Sequence, residues 1–108
     1  MTTTAHQAIP IACDLTAIPA AERPTHSARA EHLFGEAVQE RLELSDGYAF
    51  QFRADHYPLL VDFIANERLC CPFFNFTLEV TPARGPIWLP ITGGDGVKEF
   101  IGSAFTKE

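Results

Sequence analysis

The chain is short, moderately hydrophobic and acidic. Of its 108 residues, 46% are hydrophobic and 20% are charged, which indicates one globular domain and excludes a disordered chain. The formal net charge of −6 argues against nucleic-acid binding, because such binding needs Lys and Arg to replace the counterions of the phosphates. Apolar runs fall short of the roughly 18 residues of a spanning helix, and the start of the chain shows no signal-peptide pattern. We therefore expect a cytoplasmic protein with no membrane or nucleic-acid partner.

The first third of the chain predicts a tail, an extended segment and a helix. Residues 1–8 are small and polar and are expected to be flexible, so the predicted single domain covers residues 9–108. β-Branched residues and Pro10 predict extended backbone over residues 9–15, which would add a fifth strand at the edge of a sheet. Apolar residues at helical spacing then predict a helix over residues 20–38.

The rest of the chain predicts two hairpins and two further helices. Asp46-Gly47 favours a tight turn between two strand-like segments, because a two-residue hairpin turn needs positive φ angles. The predicted strands cover residues 41–44, 48–53, 74–80 and 87–91. A second helix is predicted over residues 55–70, and a third begins near residue 97. The order α-β-β-α-β-β-α predicts an α+β fold, with a four-stranded antiparallel sheet and the helices packed on one of its faces.

Trp88 lies on the opposite side of its predicted strand from the apolar residues Ile87 and Leu89. Pro90 shares the side of Trp88 and cannot donate to a sheet ladder, so we expect an edge strand or a bulge here. A tryptophan exposed at a sheet edge suits a partner or self-association surface. Trp88 is therefore a candidate interface residue, and a homodimer is a candidate assembly.

Reactive side chains concentrate in the segment from Glu67 to Pro72. At about 100° per residue, Glu67 and Cys71 project near the apolar stripe of the second helix, and Cys70 lies at the edge of that stripe. A carboxylate in this position costs free energy unless it is paired, ligated or able to reach water. Pro72 disfavours helical backbone at Cys71, which lets both sulfurs turn toward one point.

The three cysteines are expected to be reduced thiols. Their number is odd, no export signal is seen, and adjacent cysteines are poor disulfide partners. The C-terminal end of a helix and a nearby carboxylate both disfavour a thiolate, which argues against a nucleophilic redox role. A soft metal ion overcomes this, because ligation deprotonates the thiol, and Hg(II), Cu(I), Zn(II) and As(III) all accept thiolate ligands.

We predict a metal site at Cys70 and Cys71, with Glu67 as a third ligand or as an acceptor beside the ligands. Cys13 joins them if the N-terminal segment lies beside the second helix. His56 is a further candidate donor. No organic cofactor and no catalytic residue are indicated.

The two histidines of the first predicted helix add little to such a site. His26 and His32 are not separated by three or four residues, so they form no ligand pair on one helix face, and each is expected to be solvated. A structural zinc site is weakly supported, since the separated ligand pairs typical of such sites are missing from the sequence.

Four segments spread over most of the chain carry a family resemblance. They are residues 11–15 (IACDL), 46–50 (DGYAF), 67–74 (ERLCCPFF) and 96–100 (GVKEF). These segments resemble a family of small uncharacterised bacterial proteins, whose members often lie near genes for resistance to mercury and other heavy metals. The resemblance implies a soft-metal role and supplies no catalytic residue.

Three functions follow from these residues. The first is a protein that binds a soft metal or metalloid through its thiolates and sequesters the ion or hands it on, a role that requires no enzyme activity. The second is a thiol redox enzyme or sensor. The third is an interaction module that uses the sheet edge and Trp88, with all three cysteines buried and inert.

Overall fold

Alternating apolar and polar residues build the sheet, and helical periodicity builds its cover. The computed structural model describes residues 9–105, and the predicted flexible tail, residues 1–8, lies outside them together with residues 106–108. The strands are β1 (Glu40–Leu44), β2 (Gly47–Phe52), β3 (Asn75–Phe76), β4 (Glu79–Val80) and β5 (Ile87–Thr92). The helices are α1 (Arg23–His32), α2 (Tyr57–Cys70) and α3 (Val97–Phe105). The predicted α+β fold is confirmed, and the order of its elements fits roughly, since five strands are formed where four were predicted.

The sheet is antiparallel and has β5 near its centre. Its order is β1-β2-β5-β3, and β4 also pairs with β5, beyond β3 along the same edge. The hairpin of β1 and β2 forms where it was predicted, and its turn is Ser45-Asp46, with Leu44 opposite Gly47. The positive φ angles expected at Asp46-Gly47 are not found, since among the described residues only Ala83, Arg84 and Gly96 have a positive φ. The expectation that the strand of Trp88 lies at an edge is therefore wrong.

Pro90 is accommodated in this inner strand because its partner strand is interrupted. In an antiparallel ladder the N–H and C=O of one residue point to the same neighbour. The carbonyl of Pro90 accepts a hydrogen bond from the Thr77 amide at 3.0 Å, so the proline nitrogen also faces residues 77–78, between β3 and β4. The missing N–H explains why the single strand predicted over residues 74–80 is formed as two short strands.

The N-terminal segment forms no edge strand. Within the described part of the chain, residues 9–14 have no regular structure and Leu15–Ala17 is a 3₁₀ turn. The helix predicted over residues 20–38 is formed in three pieces: a 3₁₀ turn at Ala20–Glu22, then α1, then a π-helical turn at Leu33–Ala37. A further 3₁₀ turn at Ala54–His56 precedes α2. Among residues 9–105, no helix is both long enough and apolar enough to cross a membrane.

An aromatic core joins the helices to the sheet. The ring of Phe34, on the π-helical turn, has its centroid 4.6 to 5.7 Å from the ring centroids of four other phenylalanines. These are Phe50 and Phe52 of β2, Phe63 of α2 and Phe105 of α3. One side chain thereby packs against both α2 and α3 and against the sheet.

Candidate metal centre

The end of α2 brings two sulfur atoms together. The Cys71 amide makes the last helical hydrogen bond, to the Glu67 carbonyl at 2.8 Å, and Cys71 itself leaves the helix with φ −124° and ψ 76°. Pro72 accounts for this change, because its ring disfavours helical backbone in the preceding residue. The Cys70 and Cys71 sulfurs lie 3.5 Å apart, as the sequence predicted.

The N-terminal segment supplies the third sulfur. The Asp14 amide donates to the Cys70 carbonyl at 2.8 Å, which satisfies one of the carbonyls left open at the end of α2. The Asp14 carboxylate accepts from the Thr16 amide at 3.0 Å and caps the following 3₁₀ turn. The side chain of Ile18 is fully buried in the core. These contacts hold Cys13 beside the other two cysteines, and the three sulfurs lie within 4.8 Å of one another.

Two of the cysteines are bonded, which corrects the expectation of three reduced thiols. Cys13 and Cys71 form a disulfide with their Cα atoms 4.5 Å apart, and Cys70 is a free, buried thiol. The 58-residue separation of the pair hides this link from the sequence, since only the fold brings the two segments together. The adjacent pair Cys70 and Cys71 is not bonded, in agreement with the geometric argument against a disulfide between neighbours.

Glu67 is buried, as predicted, and its partner is His26. The residues Glu67 and His26 are 8% and 3% exposed, and the distance from His26 Nε2 to Glu67 Oε1 is 2.8 Å. The His26 ring stacks on Phe63 with centroids 5.5 Å apart and an interplanar angle of 12°. The prediction of a solvated surface histidine is therefore wrong for His26, whereas His32 is exposed and contacts Glu36.

The sequence carried one indirect signal for His26. A carboxylate on an apolar stripe needs a hydrogen-bond partner or a counter-ion, because leaving a charge buried and unpaired costs several kcal/mol, on the order of 3. That requirement indicates the existence of a partner but not its identity. The sequence contains four histidines and eight Lys and Arg residues, and only the packing of α1 against α2 selects His26.

The electrostatic environment opposes ionisation at this site. Burial raises the pKa of the Glu67 carboxyl above its ordinary value, and the contact with His26 acts in the opposite direction. Burial also raises the pKa of the Cys70 thiol, and the nearby Glu67 carboxylate raises it further. The negative end of the α2 dipole acts in the same sense. A bare thiolate is therefore disfavoured here.

Cys71 lies between the free thiol and the carboxylate. Its sulfur is 3.5 Å from Cys70 Sγ and 3.5 Å from Glu67 Oε2. In the disulfide this sulfur carries no proton, so it makes no hydrogen bond to Glu67. After reduction the Cys71 S–H faces Glu67 Oε2 and can donate to it.

Three sulfurs form the candidate ligand set. Among the described residues 9–105, no other group of three or more His, Cys, Asp or Glu side chains has its donor atoms close enough to hold an ion. Glu67 lies beside this set, with one oxygen taken by His26. This arrangement fits an acceptor next to the ligands better than a third ligand.

The other predicted site residues lie elsewhere. His56 precedes α2, at the opposite end from Cys70, and the 14-residue helix separates them by about 20 Å. Its ring lies 5.7 Å from that of His32 and near Asp55. Trp88 is partly buried on β5, where it pairs across the sheet with Gln51. The fold does not bring either residue to the cysteines.

No protein-family model, no curated protein and no solved structure matches this chain. The functional assignment therefore rests on the geometry of the sulfur cluster and its surroundings.

Proposed function

We propose that the reduced protein binds a soft metal or metalloid ion through the thiolates of Cys13, Cys70 and Cys71. One observation carries this proposal: sulfurs from two segments 57 or more residues apart in sequence meet within 4.8 Å at the end of α2. Thiolates are the ligands that Hg(II), Cu(I), Zn(II) and As(III) favour. The family resemblance of the cysteine segment points in the same direction.

The surroundings support ligation rather than inert packing. Burial and Glu67 raise the pKa of the Cys70 thiol, so Cys70 needs a positive charge beside it before it ionises. A bound cation supplies that charge and deprotonates its ligands. Glu67 Oε1 is bound to His26, and its Oε2, 3.5 Å from Cys71 Sγ, is left as an acceptor beside the ligands.

The differing exposure of the cysteines suits transfer of the ion. Cys70 and Cys71 are 5% and 3% exposed, whereas Cys13 is exposed and lies in a segment without regular structure. An incoming thiol can therefore approach the ion from the side of Cys13 while the two buried sulfurs retain it. This arrangement supports a protein that sequesters the ion or hands it on, without catalysing a reaction.

The disulfide represents the form that cannot bind. A bond between Cys13 and Cys71 removes two of the three ligands. Two molecules of a low-molecular-weight thiol open it, giving two protein thiols and one external disulfide. The binding form is thus the one that a reducing compartment such as the cytosol maintains.

Native mass spectrometry of the reduced protein with Hg(II), Cu(I), Zn(II) and As(III) tests this function. We expect one bound ion per chain, with binding lost in Cys70→Ser and Cys71→Ser and strongly weakened in Cys13→Ser. The oxidised protein and a His56→Ala variant are matched controls, the first expected to bind nothing and the second to bind normally. Weak binding, or binding that survives all three cysteine substitutions, would contradict the proposal.

The disulfide itself favours a second candidate, a thiol redox enzyme or sensor. Cys70 lies 3.5 Å from the disulfide sulfur of Cys71, which is close enough for exchange of partners. A redox role predicts rapid reaction of the oxidised protein with thiols and a sulfenic acid trapped on one cysteine after peroxide treatment. The raised pKa of the Cys70 thiol argues against this alternative, because thiolates are the reactive form.

A further inference from the structure

We infer that this cluster is a three-coordinate site selective for a trivalent ion of the arsenic type, in preference to divalent zinc. The inference rests on the proposed function and names the class of ion. It is carried by the number of donors, by the burial of the sulfurs and by the charge that each complex would leave at the end of α2.

The described residues offer three donors and no fourth. Glu67, the nearest buried carboxylate, has Oε1 bound to His26 at 2.8 Å. Its Oε2 lies 3.5 Å from Cys71 Sγ, but Glu67 is not part of the group of donors that all lie within 4.8 Å of one another. Asp14, next to Cys13, is held by hydrogen bonds from the amide and hydroxyl of Thr16. Zinc in proteins prefers four tetrahedral ligands. Trivalent arsenic binds three thiolates and keeps a lone pair at the fourth position, so three sulfurs complete its coordination.

Charge separates the ions further. Three thiolates neutralise a trivalent ion, whereas they leave one net negative charge on a divalent ion and two on Cu(I). Two of the three sulfurs are nearly buried, and a net charge in such surroundings is costly. The carbonyl end of α2 and the Glu67 carboxyl group both disfavour additional negative charge at this position. The neutral complex of a trivalent ion suits the site best.

The binding step balances without an oxidant or a reductant once the disulfide is open. Three S–H bonds of the protein and three As–OH bonds of arsenous acid break. Three As–S bonds form, and three water molecules leave. The oxidation state of arsenic does not change, and the reduced protein needs no second protein or cofactor for this step.

The test uses the reduced full-length chain, freed of small thiols under anaerobic conditions, with sodium arsenite as the probe. We expect one arsenic per chain, with the number of reactive thiols falling from three to none. Cys13→Ser retains the vicinal pair and should bind arsenite about 100-fold more weakly, because one of three linked contacts is lost. One equivalent of arsenite should displace zinc from protein loaded with Zn(II).

Three results would overturn the inference. The first is an arsenite complex in which one thiol still reacts, and the second is a Cys13→Ser variant with unchanged affinity. The third is bound zinc that one equivalent of arsenite does not displace but that the His6→Ala substitution releases. Such a result would make His6, which lies outside the described residues, a fourth ligand. The thiol count is made on the unsubstituted protein, so it does not depend on the folding of any variant.

The comparison ions distinguish this failure from that of the proposed function. If the reduced protein binds Hg(II) or Cu(I) but not arsenite, the preference for trivalent ions is wrong and the thiolate site stands. If it binds none of the ions tested, both proposals are wrong. His56→Ala, far from the sulfurs, should match the unsubstituted protein in every measurement.

Discussion

Reduction of the Cys13–Cys71 disulfide should lower the stability of the protein without unfolding it. The bond closes a loop across 58 residues, and the loss of chain entropy in the unfolded state corresponds to about 4 kcal/mol at 25 °C. Typical domains are stable by only about 5 to 15 kcal/mol, so this is a large fraction of the total. Native-state contacts that do not involve sulfur remain, including the buried Ile18 side chain and the hydrogen bond from Arg23 Nε to its carbonyl at 2.9 Å.

Urea denaturation followed by circular dichroism measures this effect. With a denaturant slope of about 1.5 kcal/mol per molar, a typical value for a small domain, reduction should lower the midpoint by about 2 to 3 M. Cys13→Ser should behave like the reduced protein under oxidising conditions. Cys70→Ser retains the disulfide and should still respond to reduction by the same amount.

Equal midpoints for the oxidised and reduced protein would refute this reasoning. Such a result would mean either that the disulfide is not formed or that it does not constrain the unfolded chain. A thiol titration of the denatured, unreduced protein separates the two cases, because it gives one thiol if the bond is present and three if it is absent.

Four further predictions concern the core and the site. His26→Ala leaves Glu67 buried without its partner and should lower the free energy of unfolding by about 3 kcal/mol. Adding Glu67→Leu to this variant should recover most of the lost stability, and no recovery would contradict the pairing of the two residues. Phe34→Ala removes the ring shared by both later helices and the sheet, and should cost about 4 kcal/mol by calorimetry; a loss below about 1 kcal/mol would contradict that central position. The raised pKa of the Cys70 thiol predicts that iodoacetamide at pH 8 modifies the native oxidised protein at least about 10-fold more slowly than the unfolded chain, and faster in Glu67→Gln. The native Cys70 thiol binds its proton more tightly than the unfolded chain does, so its contribution to stability is complete below the unfolded pKa near 9.0. That contribution is lost as the pH rises through the higher pKa of the native thiol. If the free energy of unfolding above pH 9.0 changes no more in the unsubstituted protein than in Cys70→Ser, the raised pKa is contradicted.

The sequence predicts the elements of this fold well where local patterns decide them. The turn between β1 and β2, α2 and α3 all depend on neighbouring residues, and each forms close to its predicted position, although the turn is Ser45-Asp46 and not Asp46-Gly47. The order of the strands was not predictable in the same way. Pro90 indicates an edge strand when β5 is considered alone, but the gap between β3 and β4 removes the need for its N–H.

The site, like the fold, was predictable where residues close together in sequence determine it. Cys70, Cys71 and Glu67 lie within five residues of sequence, and helix geometry places them at the end of α2. Cys13 and His26 join them from other segments, through the Asp14 backbone contact and the packing of α1 on α2. Local periodicity contains no information about contacts between distant segments. The position of Glu67 on an apolar stripe therefore predicted that its carboxylate has a partner, but not that the partner is His26.

The resulting environment distinguishes ligation from nucleophilic attack. A nucleophilic cysteine needs a low pKa, which proteins obtain from a helix N-terminus or a neighbouring cation. Here the free thiol lies at a helix C-terminus, buried, with a carboxylate beside its neighbour Cys71, and all three factors raise its pKa. A bound cation reverses this balance because it brings its own positive charge to the thiolates. The features that make Cys70 a poor nucleophile therefore do not prevent it from binding a metal ion. They support metal binding over redox catalysis at the end of α2.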